Sequence, residues 1–206
     1  MSNQSSILLD VLSSSVAIAG RAGEMVREVL RGGELGIVEK TGADDLQTQA
    51  DRSAQNCILA SLAAQYPGLK VVGEEGELDM SQVEADWVVT TQDSEAMKVR
   101  APAQWADVKL EDLTVWVDPL DGTKEFTQGL LDHVTVLVGI AVGSEAVAGV
   151  IHQPYYNHEA AGQGATLGRT FYGVQGKMRS QSVEQSNMSC YVRCWSVRHL
   201  PPPSPS

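Results

Sequence analysis

Between Ser6 and Arg31 apolar residues recur at helical spacing, at Leu8, Leu12, Val16, Ala19, Ala22, Val26, Val29 and Leu30, and Gly32-Gly33 follows as a stop. The pattern predicts an amphipathic helix whose stripe serves packing, since none of those side chains offers chemistry. A second helix is predicted from about Thr48 to Gln65, with Thr48 as N-cap, Asp51 as the acidic partner of a capping-box-like pair and Pro67-Gly68 as terminator. Its apolar face is Ala50, Ala54, Cys57, Ile58, Ser61 and Leu62.

The period then changes. Leu69 to Val72 is a short apolar run, Leu113 to Val117 reads as a strand, and Val134 to Val142 with Ala146 to Ile151 form a hairpin joined at Gly143-Ser144. Glu159 to Leu167 and Thr170 to Val174 are further strand candidates separated by Gly168. The expected fold class is α+β, two amino-terminal helices packed on a mostly antiparallel sheet. Gly76 to Asp112 has little periodicity and reads as an exposed excursion or a short helix. Residues 1–175 are expected to form one domain, and residues 176–206, polar and ending in Pro-Pro-Pro-Ser-Pro-Ser, a divergent tail without regular structure.

Composition narrows the function. Fifteen Lys and Arg against 26 Asp and Glu give a formal charge of −11, which argues against a nucleic-acid backbone as partner. A small phosphorylated substrate needs a cation to reverse the field locally. The three cysteines, Cys57, Cys190 and Cys194, make no disulfide framework. Charged residues interrupt the first thirty positions, and no later stretch is apolar for long enough to cross a bilayer, so a cytoplasmic protein without membrane attachment is expected.

Acidic residues gather where predicted elements end. Glu74 and Glu75 follow the strand through Val72, Asp118 and Asp121 bracket Pro119-Leu120 after the strand to Val117, and Asp51 lies in the first turn of its helix. Such carboxylates would repel one another without hard cations, and Asp and Glu oxygens with a backbone carbonyl are what Mg²⁺ accepts. Two ions roughly 3.5–4 Å apart could clamp a phosphate and activate water against it. In the run from Asp118 to Thr123, proline stops the strand and Gly122 allows a turn whose N–H groups can approach an anion. Taken singly, the same run also reads as a surface turn, Glu74-Glu75 as a solvated acidic pair and Asp51 as a helix cap.

The conjunction resembles a family. Gly73-Glu74-Glu75, followed by Trp116-Val117-Asp118-Pro119-Leu120-Asp121-Gly122-Thr123-Lys124-Glu125-Phe126, is similar to two signature stretches of the lithium-sensitive, magnesium-dependent phosphatases that include inositol monophosphatase. The stretches from Val38 to Thr41 and Asp45 to Asp51, with Lys124-Glu125-Phe126 and Gly168-Arg169-Thr170, resemble the 3′(2′),5′-bisphosphate nucleotidase branch. The likeness runs from about residue 6 to 174. It implies that Glu74, Asp118, Asp121 and the Leu120 carbonyl ligate magnesium, with Asp118 bridging two ions. It also implies that Asp51 and Thr123 activate the attacking water and that Gly122 and Thr123 offer backbone donors to the phosphate. The implied reaction removes the 3′-phosphate of adenosine 3′,5′-bisphosphate.

One family feature has no counterpart. The third signature, a Trp-Asp in the second half of the chain, would supply another metal ligand, yet Trp195 is followed by Ser196 and no Asp or Glu occurs after Glu184. The expectation is therefore a truncated form of the family's layered α/β sandwich with impaired activity. An inositol phosphate phosphatase and a non-catalytic metal-binding fragment are the alternatives. Zinc binding by Cys190, Cys194 and His199 has unsuitable spacing. His133, His152 and His158, which flank predicted strands, read as surface or packing residues.

Overall fold

The computed structural model describes residues 6–40, 46–159 and 167–180. Helix α1 spans Ile7–Gly32 and closes on Gly33, whose left-handed φ of 79° suits a residue without Cβ. Its buried surface is wider than one stripe and includes Ser13, Ser14 and Ser15. Each hydroxyl is satisfied: Ser13 donates to the Asp93 carbonyl at 2.7 Å, Ser15 to the Val11 carbonyl at 2.7 Å, and Ser14 pairs with the Tyr66 hydroxyl at 2.7 Å. The helix is thus wrapped on several sides, which the apolar spacing alone does not reveal.

Helix α2 spans Gln49–Gln65, and its first turn carries the expected capping box between Thr48 and Asp51. Strands β1 (Val38–Glu39) and β2 (Leu46–Gln47) form a small antiparallel ladder ahead of it. The main sheet has the order β3 (Lys70–Gly73), β4 (Leu113–Asp121), β5 (Thr135–Val142), β6 (Glu145–Gln153), β7 (Arg169–Val174) and β8 (Lys177–Ser180). Only the β3–β4 pair is parallel. Helix α1 lies over β5, β6 and β7, and α2 over β3 and β4, so the core fills one helix–sheet interface. The α+β expectation is met.

Gly76 to Asp112 is the excursion expected, built from five 3-10 turns at Met80–Gln82, Ala85–Trp87, Ala96–Lys98, Ala103–Trp105 and Leu110–Asp112. Strand β8 occupies residues assigned to the tail, pairing Val174 with Lys177 across a tight turn. Residues 181–206, and most of the strand candidate from Glu159 to Leu167, lie outside the described residues. Among the described residues no helix is long and apolar enough to cross a membrane.

Candidate active site

Strand β4 carries the decisive irregularity. Asp118 pairs with Leu137 and Asp121 with Thr135, so three steps along β4 match two along β5. The extra residue is a β-bulge at Pro119-Leu120, where proline has no N–H to give the ladder. In a regular strand Asp118 and Asp121 would face opposite sides; one inserted residue restores a common side. Gly122 follows with φ 90°, and a Cβ there would stand 3.0 Å from the His133 carbonyl oxygen, so this position admits glycine alone without strain. Helix α3 (Thr123–Thr127) then starts, with the Phe126 N–H donating to the Gly122 carbonyl at 2.8 Å.

Strand β3, parallel to β4, delivers the glutamates to the same end of the sheet. The Glu74 N–H donates to the Val117 carbonyl at 3.0 Å, one residue before Asp118. The Asp118 side chain is 4 % exposed and lies close enough to Glu74 and Asp121 to feel their charges. Burial first, then the charges of Glu74 and Asp121, push the Asp118 carboxyl up to about 9. Its Oδ1 also accepts from the Leu120 N–H at 3.3 Å, and Asp121 accepts from the Thr135 hydroxyl at 3.3 Å.

The two adjacent glutamates have different fates. The Glu75 side chain is 3 % exposed and held by Lys40 Nζ at 3.0 Å and Gln47 Nε2 at 2.6 Å, whereas that of Glu74 is 43 % exposed and 3.9 Å from the same lysine. Glu75 is thus a neutralised internal anion, and Glu74 faces open space.

Asp51, at the start of α2, is 1 % exposed. Its Oδ2 accepts from the Thr48 N–H at 2.7 Å and from the Thr48 hydroxyl, while its Oδ1 accepts from the Thr123 hydroxyl at 3.0 Å. Burial raises its proton affinity, and these three hydrogen bonds moderate the rise. Thr123 Oγ1 also lies 2.9 Å from the Leu120 carbonyl oxygen. One hydroxyl therefore links the helix cap to the bulge.

All seven residues singled out from the sequence, Asp51, Glu74, Asp118, Leu120, Asp121, Gly122 and Thr123, sit at or beside this junction of β3, β4, α2 and α3. Lys40, Gln47 and Gln55 were not singled out. Gln55 Oε1 accepts from the Glu75 N–H at 2.8 Å and its Nε2 donates to the Gly76 carbonyl at 3.0 Å. The available signal was helical spacing, since Gln55 lies one turn beyond Asp51 on α2.

His152 lies within β6 rather than at its flank, buried, with Nδ1 2.9 Å from the Thr170 hydroxyl. His158 Nδ1–H donates to the Tyr155 carbonyl at 2.8 Å, and His133 is exposed. Cys57 is buried, its Sγ 3.1 Å from the Trp87 carbonyl oxygen and its thiol pushed up to about 11 by burial. Cys190, Cys194 and His199 lie outside the described residues.

Among the described residues no group of three or more His, Cys, Asp or Glu is gathered closely enough to hold a metal ion outright. The donor chemistry nevertheless fits one hard cation. A buried carboxyl whose proton affinity is raised by burial and by the charges of Glu74 and Asp121 is short of positive charge, and the Leu120 carbonyl two residues along the bulge is a further oxygen donor.

The model of the inositol monophosphatase family matches residues 8–204. The chain belongs to that family. The match extends beyond residue 174, where the likeness read from motifs ends. Over 176 residues the chain is 52 % identical to human 3′(2′),5′-bisphosphate nucleotidase 1, covering 85 % of this chain and 56 % of that protein. It is 34 % identical over 157 residues to the bovine Golgi-resident adenosine 3′,5′-bisphosphate 3′-phosphatase, covering 74 % of this chain and 42 % of the relative. The chain thus spans about half the length of the curated relatives it matches. Among solved structures, extragenic suppressor protein suhB from Bartonella henselae superposes with a TM-score of 0.57 at 22 % identity, over 85 % of this chain and 52 % of its own. An IMPase of Thermotoga maritima gives 0.55 at 20 % identity, over 82 % and 50 % respectively. These two likenesses bear on the fold: this chain carries a part of the inositol monophosphatase architecture.

Proposed function

We propose that the chain carries the cation-binding and water-activating part of a magnesium-dependent phosphatase acting on the 3′-phosphate of adenosine 3′,5′-bisphosphate. The observation that carries this reading is the 3.0 Å hydrogen bond from Thr123 to Asp51, with Thr123 Oγ1 also 2.9 Å from the Leu120 carbonyl of the bulge that follows the buried Asp118. The substrate rests on the identity to nucleotidases, which this chain spans only in part. A small phosphorylated substrate, a cytoplasmic location and sensitivity to lithium belong to the same proposal.

Glu74, Asp118, Asp121 and the Leu120 carbonyl would hold magnesium, which when bound neutralises phosphate charge and lowers the proton affinity of water. The Thr123 hydroxyl has one proton, and donating it to Asp51 leaves the oxygen lone pairs free to accept from a water. Asp51 is then the general base, held in one rotamer by the Thr48 N–H and hydroxyl and able to receive the proton through Thr123. The Gly122 and Thr123 amides, at the start of α3, would face the phosphate. Water attacks phosphorus in line, the phosphorus–oxygen bond to the ribose 3′ carbon breaks, and the released alkoxide takes a proton to give AMP and inorganic phosphate.

Metal binding without turnover is a second reading, favoured by the lack of a third tightly gathered ligand among the described residues. Phosphate release from adenosine 3′,5′-bisphosphate and from inositol 1-phosphate, each with and without Mg²⁺, separates the readings. Magnesium-dependent release from the nucleotide that disappears in Asp118→Asn supports the proposal. Magnesium binding without release supports the second reading, and release unaffected by Asp118→Asn overturns the site assignment.

A further inference from the structure

We propose that Gln55 is a positioning residue for the cation site, fixing where Glu74 stands relative to Asp51. The inference deepens the phosphatase reading and rests on it. Gln55 is 2 % exposed and lies four residues after Asp51, on the same face of α2. Its carboxamide uses both ends on one turn, accepting from the Glu75 N–H at 2.8 Å and donating to the Gly76 carbonyl at 3.0 Å. The Glu74 N–H is tied on the other side to Val117 of β4 at 3.0 Å. Glu74 is therefore clamped between the strand that carries Asp118 and the helix that carries Asp51.

Gly73 belongs to the same device. A Cβ at Gly73 would meet Gln55 Oε1 at 2.4 Å and Cδ at 2.6 Å, so the glutamine reaches the turn only because that position lacks a side chain. A neutral carboxamide also suits the place. It supplies a donor and an acceptor to backbone without adding charge beside Glu74 and Glu75, where another carboxylate would increase repulsion and a lysine would compete with a cation. Burial and both hydrogen bonds keep the side chain in one orientation, as an outer-shell residue must be to orient a ligand.

The test uses the chain as it stands, with Mg²⁺ affinity from calorimetry and amide hydrogen exchange at Glu75. In the unsubstituted chain the Glu75 amide should exchange slowly. Gln55→Met, similar in volume but without hydrogen-bonding ends, should weaken Mg²⁺ binding tenfold or more, in the range seen when outer-shell partners are removed. Gln55→Glu keeps an acceptor for Glu75 but loses the donor to Gly76 and adds negative charge. A site governed by charge alone would bind Mg²⁺ more tightly in this variant, whereas positioning predicts binding at least threefold weaker. This second variant decides the matter even where Gln55→Met does not fold. Gln55→Met affinity within twofold of the unsubstituted chain, tighter binding in Gln55→Glu, or fast exchange at Glu75 overturns the proposal. If Asp118→Asn abolishes Mg²⁺ binding while the Gln55 variants do not alter it, only the positioning role falls. If the unsubstituted chain binds no Mg²⁺, the cation reading falls and takes the positioning role with it.

Discussion

The Thr123 hydroxyl donates to Asp51 across 72 residues of sequence at 3.0 Å, joining the N-terminus of α2 to that of α3. Asp51 has two jobs that use different oxygens: Oδ2 caps the helix through Thr48, and Oδ1 receives Thr123. Thr123→Val should therefore cut the rate of phosphate release by about 10²–10⁴-fold while leaving Mg²⁺ affinity unchanged. Asp51→Ala should lose activity and also about 1 kcal/mol of stability, because the capping box goes with it. Steady-state kinetics beside urea melts check both.

Asp118 is held at a cost to the metal-free chain, being buried against Glu74 and Asp121. Asp118→Asn removes the repulsion and keeps the shape. It should raise the melting temperature without Mg²⁺ and abolish the further rise that Mg²⁺ gives the unsubstituted chain, since ligand binding stabilises by mass action. Calorimetric scans with and without Mg²⁺ read this directly.

His152 makes stability depend on acid. Burial, with a smaller contribution from the Arg27 charge, lowers its pKa from 6.5 to about 4. The unfolded chain then binds a proton that the folded chain refuses between those values. Its contribution is fully present above about 6.5 and is lost as pH falls towards 4, about 3 kcal/mol in all. Urea midpoints at pH 7 and 5 should therefore fall further for the unsubstituted chain than for His152→Gln.

Two glycines of α1 should answer alanine oppositely. At Gly20 nothing lies within 4 Å of an added Cβ, so Gly20→Ala should stabilise by roughly 0.5–1 kcal/mol through helix propensity. At Gly23 the added carbon would stand 2.3 Å from His152 Cδ2 and Nε2, ring atoms in a packed core. Overpacking of about 1–3 kcal/mol outweighs the propensity gain, and Gly23→Ala should melt lower.

Local signals made much of this fold legible. Thr48 with Asp51 announced the α2 capping box, and Gly143-Ser144 between β-branched runs announced the β5–β6 hairpin, because caps and turns depend on residues a few positions apart. The bulge at Pro119-Leu120 was not legible, since it is defined by register against Leu137 and Thr135 on another strand. Strands β1 and β2, each two residues long, are too short to show a period, and β8 looks polar because it sits at the sheet edge. The proposed site residues are legible as types and motifs. Which glutamate is neutralised depended on Lys40 and Gln47 reaching Glu75 across 35 and 28 residues, which no spacing rule conveys.

A magnesium titration followed by calorimetry, comparing the unsubstituted chain with Asp118→Asn and Glu75→Gln, tests the central claim most directly. Binding to the unsubstituted chain that vanishes in Asp118→Asn but persists, though weakened, in Glu75→Gln is the predicted result, because the proposal makes Asp118 a ligand and Glu75 an internal anion. Equal binding by the unsubstituted chain and Asp118→Asn would contradict it.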